Sequence, residues 1–330
     1  VHIRPITSAD DAFASWYDVY RHGHAADYPH GPRFEKSELE VVHETHEYRD
    51  VKLWLAEEDQ QALGAAVLHL PLRDNLSLGE SEIWVRPEAR RRGIGTALLE
   101  ELETVAQQYG RTSLLSQIEG PASTSSTSGT RFAARHGFTH RITEIARVQR
   151  APFHLARIAA AEEEARPRAD GYEIVTWRGR TPDEYVREYA RLEGRLSTDA
   201  PLGELDYEGE AWDEDRIRIS ERRHERMGRS YWTAVAVAPD GGLAGLTRIS
   251  LQQHSDENGF QDSTLVDPPH RGHRLGLLLK AANLRAVLHD RPGIRAIWTW
   301  NAESNQHMIS VNETLGYQVE GWGAGYQRKL

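Results

Sequence analysis

Cysteine is absent from all 330 residues. That excludes disulfides, a thiol nucleophile and any metal site built on thiolates. No apolar run nears the ~20 residues that a membrane-spanning helix needs. No stretch reads as a secretory leader, so the expected location is the cytoplasm. Lysine is scarce, standing only at Lys36, Lys52, Lys280 and Lys329; every other basic side chain is arginine. Acidic residues outnumber basic ones by 50 to 40, a formal charge of -10, which argues against nucleic acid as a partner despite local basic clusters. His22, His24, His30, His43 and His46 lie close together in the sequence, but none shows a convincing ligand spacing beside a carboxylate, so no metal is expected. The chain is long enough for two domains with separate cores.

The most informative stretch runs from Val85 to Thr96. The apolar segment Ile83-Trp84-Val85 ends at Arg86-Pro87, Arg90-Arg91-Arg92 follows, and Gly93-Ile94-Gly95-Thr96 opens a helical pattern. Leu98, Leu102, Val105 and Tyr109 then fall on one helix face. The order strand, basic turn, helix makes an anion site: first-turn amides lack intrahelical partners, and the helix end carries partial positive charge. A P-loop is excluded because no lysine follows Gly95. A dinucleotide fingerprint is excluded because Leu98 stands where its third glycine belongs.

The arrangement recurs 181 residues later, from Val85 to Val266. Thr264-Leu265-Val266 leads through Asp267-Pro268 to Arg271-Gly272-His273-Arg274-Leu275-Gly276-Leu277, and Leu277, Ala281, Leu284 and Leu288 mark a second helix face. Valine to arginine and arginine to glycine are five apart in both copies. Each copy continues to glycine plus an aromatic, Gly137-Phe138 and Gly316-Tyr317. Such matched spacing predicts an internal duplication. The domains expected are 1–165 and 166–330, divided at the helix-breaking run Arg166-Pro167-Arg168-Ala169-Asp170-Gly171.

The Arg-x-x-Gly-x-Gly turn after a strand ending Val-x-Pro resembles the acyl-CoA loop of the GCN5-related N-acetyltransferase (GNAT) superfamily. The duplication is similar to its tandem two-domain actinobacterial type, the layout of mycothiol synthase. The resemblance implies an α/β fold, each domain a mixed, mostly antiparallel sheet flanked by helices. It implies acetyl-CoA as acyl donor, no metal, and a small-molecule or peptide amine as acceptor. It assigns pantetheine and the acyl oxygen to the strand residues Ile83, Trp84, Val85, Thr264, Leu265 and Val266. It assigns the pyrophosphate to Arg90, Arg91, Arg92, Gly93, Ile94, Gly95 and Thr96, and to Arg271, Gly272, His273, Arg274, Leu275, Gly276 and Leu277. Arg274 replaces the first glycine.

The family's last helix usually begins with asparagine and carries a tyrosine four residues before the glycine. The second copy keeps the asparagine, Asn305, beside Asn301, and has Asn312 at the tyrosine position; the first copy has Ser126 and Ala133 there. Asn312 is therefore expected to donate to the leaving thiolate, a tolerable substitute because a thiol pKa near ~8.5 makes thiolate departure feasible. Glu80, Glu82 and Asp262, on the strands before the two loops, are the candidate bases. The resemblance favours the second half for catalysis. The competing expectation is a non-catalytic acyl-CoA-binding protein, a sensor or sequestering module, acting as monomer or homodimer.

One acidic run bears on the acceptor: Asp199, Glu204, Asp206, Glu208, Glu210, Asp213, Glu214 and Asp215, with Tyr207 and Trp212 among them. It predicts either attraction of a cationic amine such as a polyamine, aminosugar or basic peptide, or else a solvated acidic loop, or a face packed on the arginine-rich helix beginning near Asp215.

Overall fold

The computed structural model describes residues 1–199 and 201–330. Residues 1–144, 202–208 and 321–330 form one compact unit; 145–201 and 209–320 form a second. The first holds β1 (His2–Ile6), α1 (Phe13–Asp27), α2 (Lys36–Val42), β2 (Arg49–Glu58), β3 (Gln61–Pro71), β4 (Leu78–Val85), α3 (Ile94–Gln108), β5 (Ser113–Pro121), α4 (Ser128–Arg135) and the start of β6 (Thr139–Arg150). The second holds the end of β6, then α5 (Leu155–Ala165), β7 (Glu173–Arg178), α6 (Val186–Asp199), α7 (Glu214–Arg226), β8 (Arg229–Val237), β9 (Leu243–Gln252), β10 (Gly259–Val266), α8 (Leu275–Asp290), β11 (Ala296–Ala302) and α9 (Gln306–Leu315). The final strand, β12 (Gln318–Lys329), gives its residues from Gly321 onward to the first unit.

These units do not divide at 165/166. Ile158, Ala161 and Ala165 of α5 are buried in the second unit's core with Leu277, Leu278 and Leu284 of α8. β12, at the far end of the sequence, runs antiparallel to β5 of the first unit, from Gly321 opposite Pro121 to Lys329 opposite Ser113. A helix and a strand thus belong with the partners that bury them rather than with their neighbours in sequence.

Each unit is a sheet with helices on both faces. In the first, β3 is buried from Ala62 to Leu70, which its unbroken apolar sequence dictates. Ile94, Leu98 and Leu102 of α3 cover one face, and Phe13, Trp16 and Val19 of α1 the other. Each such side chain contributes about 1.5–3 kcal/mol on burial. Gly64 lets α3 lie close on β3: a Cβ there would stand 2.7 Å from Ile94 Cγ2. In the second unit α5 and α8 cover one face, α6 and α7 the other.

Local hydrogen bonds set three helix starts. Asp10 accepts from the Thr7 amide at 2.6 Å and closes a turn, and α1 begins at Phe13. Thr181 spends its amide on Glu221 at 2.7 Å, and α6 begins at Val186. Thr127 forms a capping box with Thr130, and α4 starts at Ser128.

The feature that positions a site is a wedge. β4 and β5 run parallel but pair only from Leu78–Glu80 to Ser113–Leu115. β10 and β11 likewise pair only at Gly259–Phe260 with Ile297–Trp298. Beyond those residues the strands part, and the loop before α3 or α8 follows the open end.

Candidate active site

The two loops share one backbone. Arg91 (φ +65°) and Gly93 (φ +87°) are left-handed in the first, Gly272 (φ +89°) and Arg274 (φ +53°) in the second. Glycine and arginine have exchanged places while the fold of the turn is kept. Arg274, despite its Cβ, takes the conformation that glycine takes at Gly93, at a cost of about 1–2 kcal/mol. The first-turn amides of α3 and α8 therefore open in the same way, and a Cβ on Gly276 would meet only Val266 Cγ2, at 3.8 Å. Gly95 is more confined, with Phe132 Cε2 at 3.1 Å from a built Cβ. Both loops fit a pyrophosphate held by backbone amides.

The loop arginines have structural partners. Arg90 donates from Nε to Val85 O at 3.1 Å and grips Asp27 with both terminal nitrogens at 3.0 Å. Arg271 repeats this with Val266 O and Asp199, each at 3.2 Å. Arg92 pairs with Glu58 and Arg274 with Glu164, while the His273 ring contacts Arg168 O at 3.0 Å. The Arg90 and Arg271 side chains tie strand end and loop to α1 or α6, which leaves the backbone amides of the loops as the groups expected to hold a pyrophosphate. A second tie is kept with its charges reversed: Arg86 pairs with Asp18, whereas Asp267 pairs with Arg191 at 2.7 Å.

Asn312 is fully buried and has both amide atoms engaged. Its Oδ1 accepts from Lys280 Nζ at 2.6 Å, and its Nδ2 donates to Asn301 Oδ1 at 2.5 Å. Asn305 caps α9, accepting from the Met308 amide at 3.2 Å. Lys280 was not singled out in the sequence, although a lysine amid Leu277, Leu278, Leu279 and Ala281 in a chain with four lysines is a visible signal. Burial pulls its pKa down to about 7.

The carboxylates differ between units. Glu82 is half-buried on β4, and burial, then Glu119 on β5 and Glu80, raise its pKa to about 7. Glu119 is likewise raised to about 7 by burial and by Glu144 of β6, itself raised by burial. The same face of β4 is packed with rings: Trp84 meets Trp16 at 5.5 Å and Tyr20 at 5.1 Å.

In the second unit β10 bulges between Gln261 and Thr264, a stretch that includes Asp262. Its side chain keeps 27% exposure, yet the surrounding protein raises its pKa, with Arg248 at 3.6 Å opposing the shift. Arg248 also lies 3.7 Å from Glu193, and neither Arg248 Nε nor Glu193 Oε1 has a hydrogen-bond partner among the described residues. A pocket opens beside them, lined by Thr181, Tyr189, His224, Tyr231, Thr233 and Arg248. Arg248 and Glu193 carried no motif and were not foreseen.

Much of the acidic run is occupied. Asp199 holds Arg271, Glu204 pairs with Arg141 at 3.3 Å, Glu210 with Arg216 at 3.1 Å, and Asp213 caps α7. Packing on α7 accounts for Glu210 and Asp213, while Asp199 and Glu204 are held by arginines elsewhere.

The geometry agrees with comparisons to known proteins. The model of the acetyltransferase (GNAT) family matches residues 13–138 and again 197–317. The chain is similar to mycothiol acetyltransferase of Salinispora arenicola, 27% identical over 80% of this chain and 78% of the relative. It is equally similar, at 27%, to mycothiol acetyltransferase of Acidothermus cellulolyticus, over 84% and 79%. Among solved structures, a tandem GNAT protein from the clavulanic acid biosynthesis pathway superposes with a TM-score of 0.77 at 27% identity, covering 99% of this chain and 98% of that one. A GCN5-related N-acetyltransferase from Sphaerobacter thermophilus, 18% identical with a TM-score of 0.68 over 99% and 95%, shares the fold. With two family matches spanning most of its length, two loops of one backbone and two wedged sheets, the chain belongs to the acetyltransferase (GNAT) family in a tandem arrangement.

Proposed function

We propose that this protein transfers an acetyl group from acetyl-CoA directly to a primary amine of a small molecule or peptide, and that the second unit carries the reaction. One observation bears most of the weight. The buried chain Lys280–Asn312–Asn301 lies where the family places its thiolate donor. The first unit has Leu99 and Ala133 at the corresponding places, both buried in apolar core. A small pocket lies beside Arg248, which faces Asp262, whereas Trp16, Tyr20 and Trp84 pack together in the first unit.

In this reading the amides of Arg271 to Leu277 hold the pyrophosphate, and the open edge of Thr264 to Val266 faces pantetheine and the acyl oxygen. Asn301 and Asn305 border the same strand and helix. Asp262 takes the amine proton, and the buried Asn312 amide acts on the departing sulfur through the part-exposed Asn301. A preference for cationic amines would rest on Asp262 and Glu193, since much of the 199–215 run is already paired.

A second reading has one observation of its own. Glu82 makes no hydrogen bond or ion pair among the described residues and is held near neutral pH, which suits a base in the first unit. The two separate experimentally. Acetyl-CoA binding by calorimetry and turnover against an amine panel would be measured for Gly95→Glu and Gly276→Glu. A carboxylate in a pyrophosphate cradle repels its ligand. Gly276→Glu is expected to lower turnover by at least ~10³-fold while Gly95→Glu leaves it within a few-fold. The reverse pattern moves catalysis to the first unit, and binding without turnover in the wild type leaves a non-catalytic acyl-CoA-binding protein.

A further inference from the structure

We propose that Lys280 is the positive charge that stabilises the thiolate leaving the second unit's site, acting through the Asn312 amide. The proposal rests on the assignment of acetyl transfer to that unit.

Lys280 sits mid-way along α8 with 1% exposure, between Leu279 and Ala281. Burying an ammonium costs several kcal/mol unless a counter-charge is supplied. None of the ion pairs among the described residues includes it. The acids on the elements packed around α8 are turned elsewhere. Glu162 of α5 pairs with Arg285 at 2.8 Å, Asp262 of β10 faces Arg248 at 3.6 Å, and Asp290, at the end of α8, accepts from Trp232 Nε1 at 2.8 Å. Lys280 has Asn312 Oδ1 at 2.6 Å and the Tyr317 ring, 5.4 Å to its centroid. A hydrogen bond and a π face are thin compensation for a buried cation.

The duplication supplies an internal control. Adding 181 to Leu99 gives Lys280, the offset that relates Gly95 to Gly276. Ala133 and Asn312 each stand four residues before the glycine of Gly-Phe or Gly-Tyr. Leu99 and Ala133 are 2% and 3% exposed in the first unit's core. The fold is thus satisfied by two apolar residues here. The amine and amide answer a need that the first unit lacks.

Acetyl transfer supplies that need. As the amine nitrogen bonds the acyl carbon, the C–S bond breaks, sulfur keeps the electron pair and the amine proton passes to Asp262. Negative charge appears on sulfur only as the bond breaks, so a fixed cation nearby stabilises the transition state more than the ground state. Asn312 transmits the charge: accepting from the ammonium polarises the amide, and its Nδ2 becomes a stronger donor to Asn301, which unlike the fully buried Asn312 is part-exposed and can meet the sulfur. Lys280 is therefore a positioning residue that touches no substrate.

The test measures kcat against pH, with acetyl-CoA affinity by calorimetry, for wild type, Lys280→Leu, Asn312→Ala and the double variant that copies Leu99 and Ala133. Thermal melting checks the fold, and the double variant carries the test should Lys280→Leu alone unfold for want of a partner for Asn312. Wild-type kcat is expected to fall above about pH 7 as Lys280 loses its proton. Lys280→Leu and the double variant are expected to lose that alkaline limb and ~10²-fold in kcat, with acetyl-CoA affinity within about threefold of wild type. Unchanged kcat in a folded variant, or an alkaline limb that survives it, overturns the proposal. A wild-type rate indifferent to Gly276→Glu instead overturns the assignment of the second unit, so the two failures read differently.

Discussion

At matched places the first unit has Leu99, Ala133 and a stack of Trp16, Tyr20 and Trp84, where the second has Lys280, Asn312 and a pocket walled by Tyr189, Tyr231 and Arg248. What the copies share is equally specific: an arginine clamped to the strand end and to an acid on the preceding helix, two left-handed loop residues, and a parallel strand pair that parts after two or three residues. Shared features show what the fold requires, because both copies must fold. Differing ones show what each copy has been free to change. On that division the second unit holds reactive polarity, and the first holds buried carboxylates among aromatic rings.

The largest effect that would sharpen this comparison comes from the arginine clamps. Arg271→Ala frees the loop that presents the α8 amides, and displacement of about 1 Å costs on the order of 10²-fold in catalysis. The expected result is a KM for acetyl-CoA raised ~10-fold or more and kcat/KM lowered ~10²-fold. Arg90→Ala, its counterpart, is expected to lower the melting temperature by several degrees, about 1–3 kcal/mol for a partly buried charge left on Asp27, with turnover unchanged. Equal kinetic damage from both would make the two loops partners in catalysis.

Glu82→Gln probes the other side with a smaller effect. The folded state holds the Glu82 proton more tightly than the unfolded chain, with a pKa of about 7 against an ordinary 4.5. Between those values the folded state binds more protons, so stability is lost as pH rises from about 4.5 through 7. Removing the charge should stabilise the protein by about 1–2 kcal/mol at pH 8, after discounting for solvent screening, and by almost nothing at pH 4. Chemical denaturation at both pH values measures this. A ~10²-fold loss of turnover in the same variant would make Glu82 the base and reverse the assignment of the units.

The duplication, loop positions and mixed sheets were legible because they are local patterns: spacing, glycine placement and alternating apolarity. The origin of the strand beside β5 was not, since β12 is joined to it by pairing across the whole sequence and by no nearby residue. Asn305 and Asn312 were legible as positions in a pattern, but their partners were not. Nothing in the order of residues sets Lys280 against Asn312, 32 positions on. Arg248 was hidden for another reason. It occupies an ordinary strand position, and only the antiparallel register of β9 with β10 brings Asp262 opposite it.

The smallest effect tests whether the loops share one backbone by requirement. Arg91 and Arg274 hold left-handed conformations that cost a Cβ-bearing residue about 1–2 kcal/mol. Replacing either by glycine removes that strain but enlarges the unfolded chain's freedom, an opposing term of about 0.4–1 kcal/mol. Arg91 is exposed and makes no side-chain hydrogen bond or ion pair among the described residues, so Arg91→Gly is expected to gain about 0.5 kcal/mol. Arg274→Gly also gives up the surface pair with Glu164, worth about 0–1 kcal/mol, and should be close to neutral. A loss of more than ~1 kcal/mol from either would mean that the arginine side chain, rather than the turn's geometry, holds its loop, and the two cradles would then be alike in shape for different reasons.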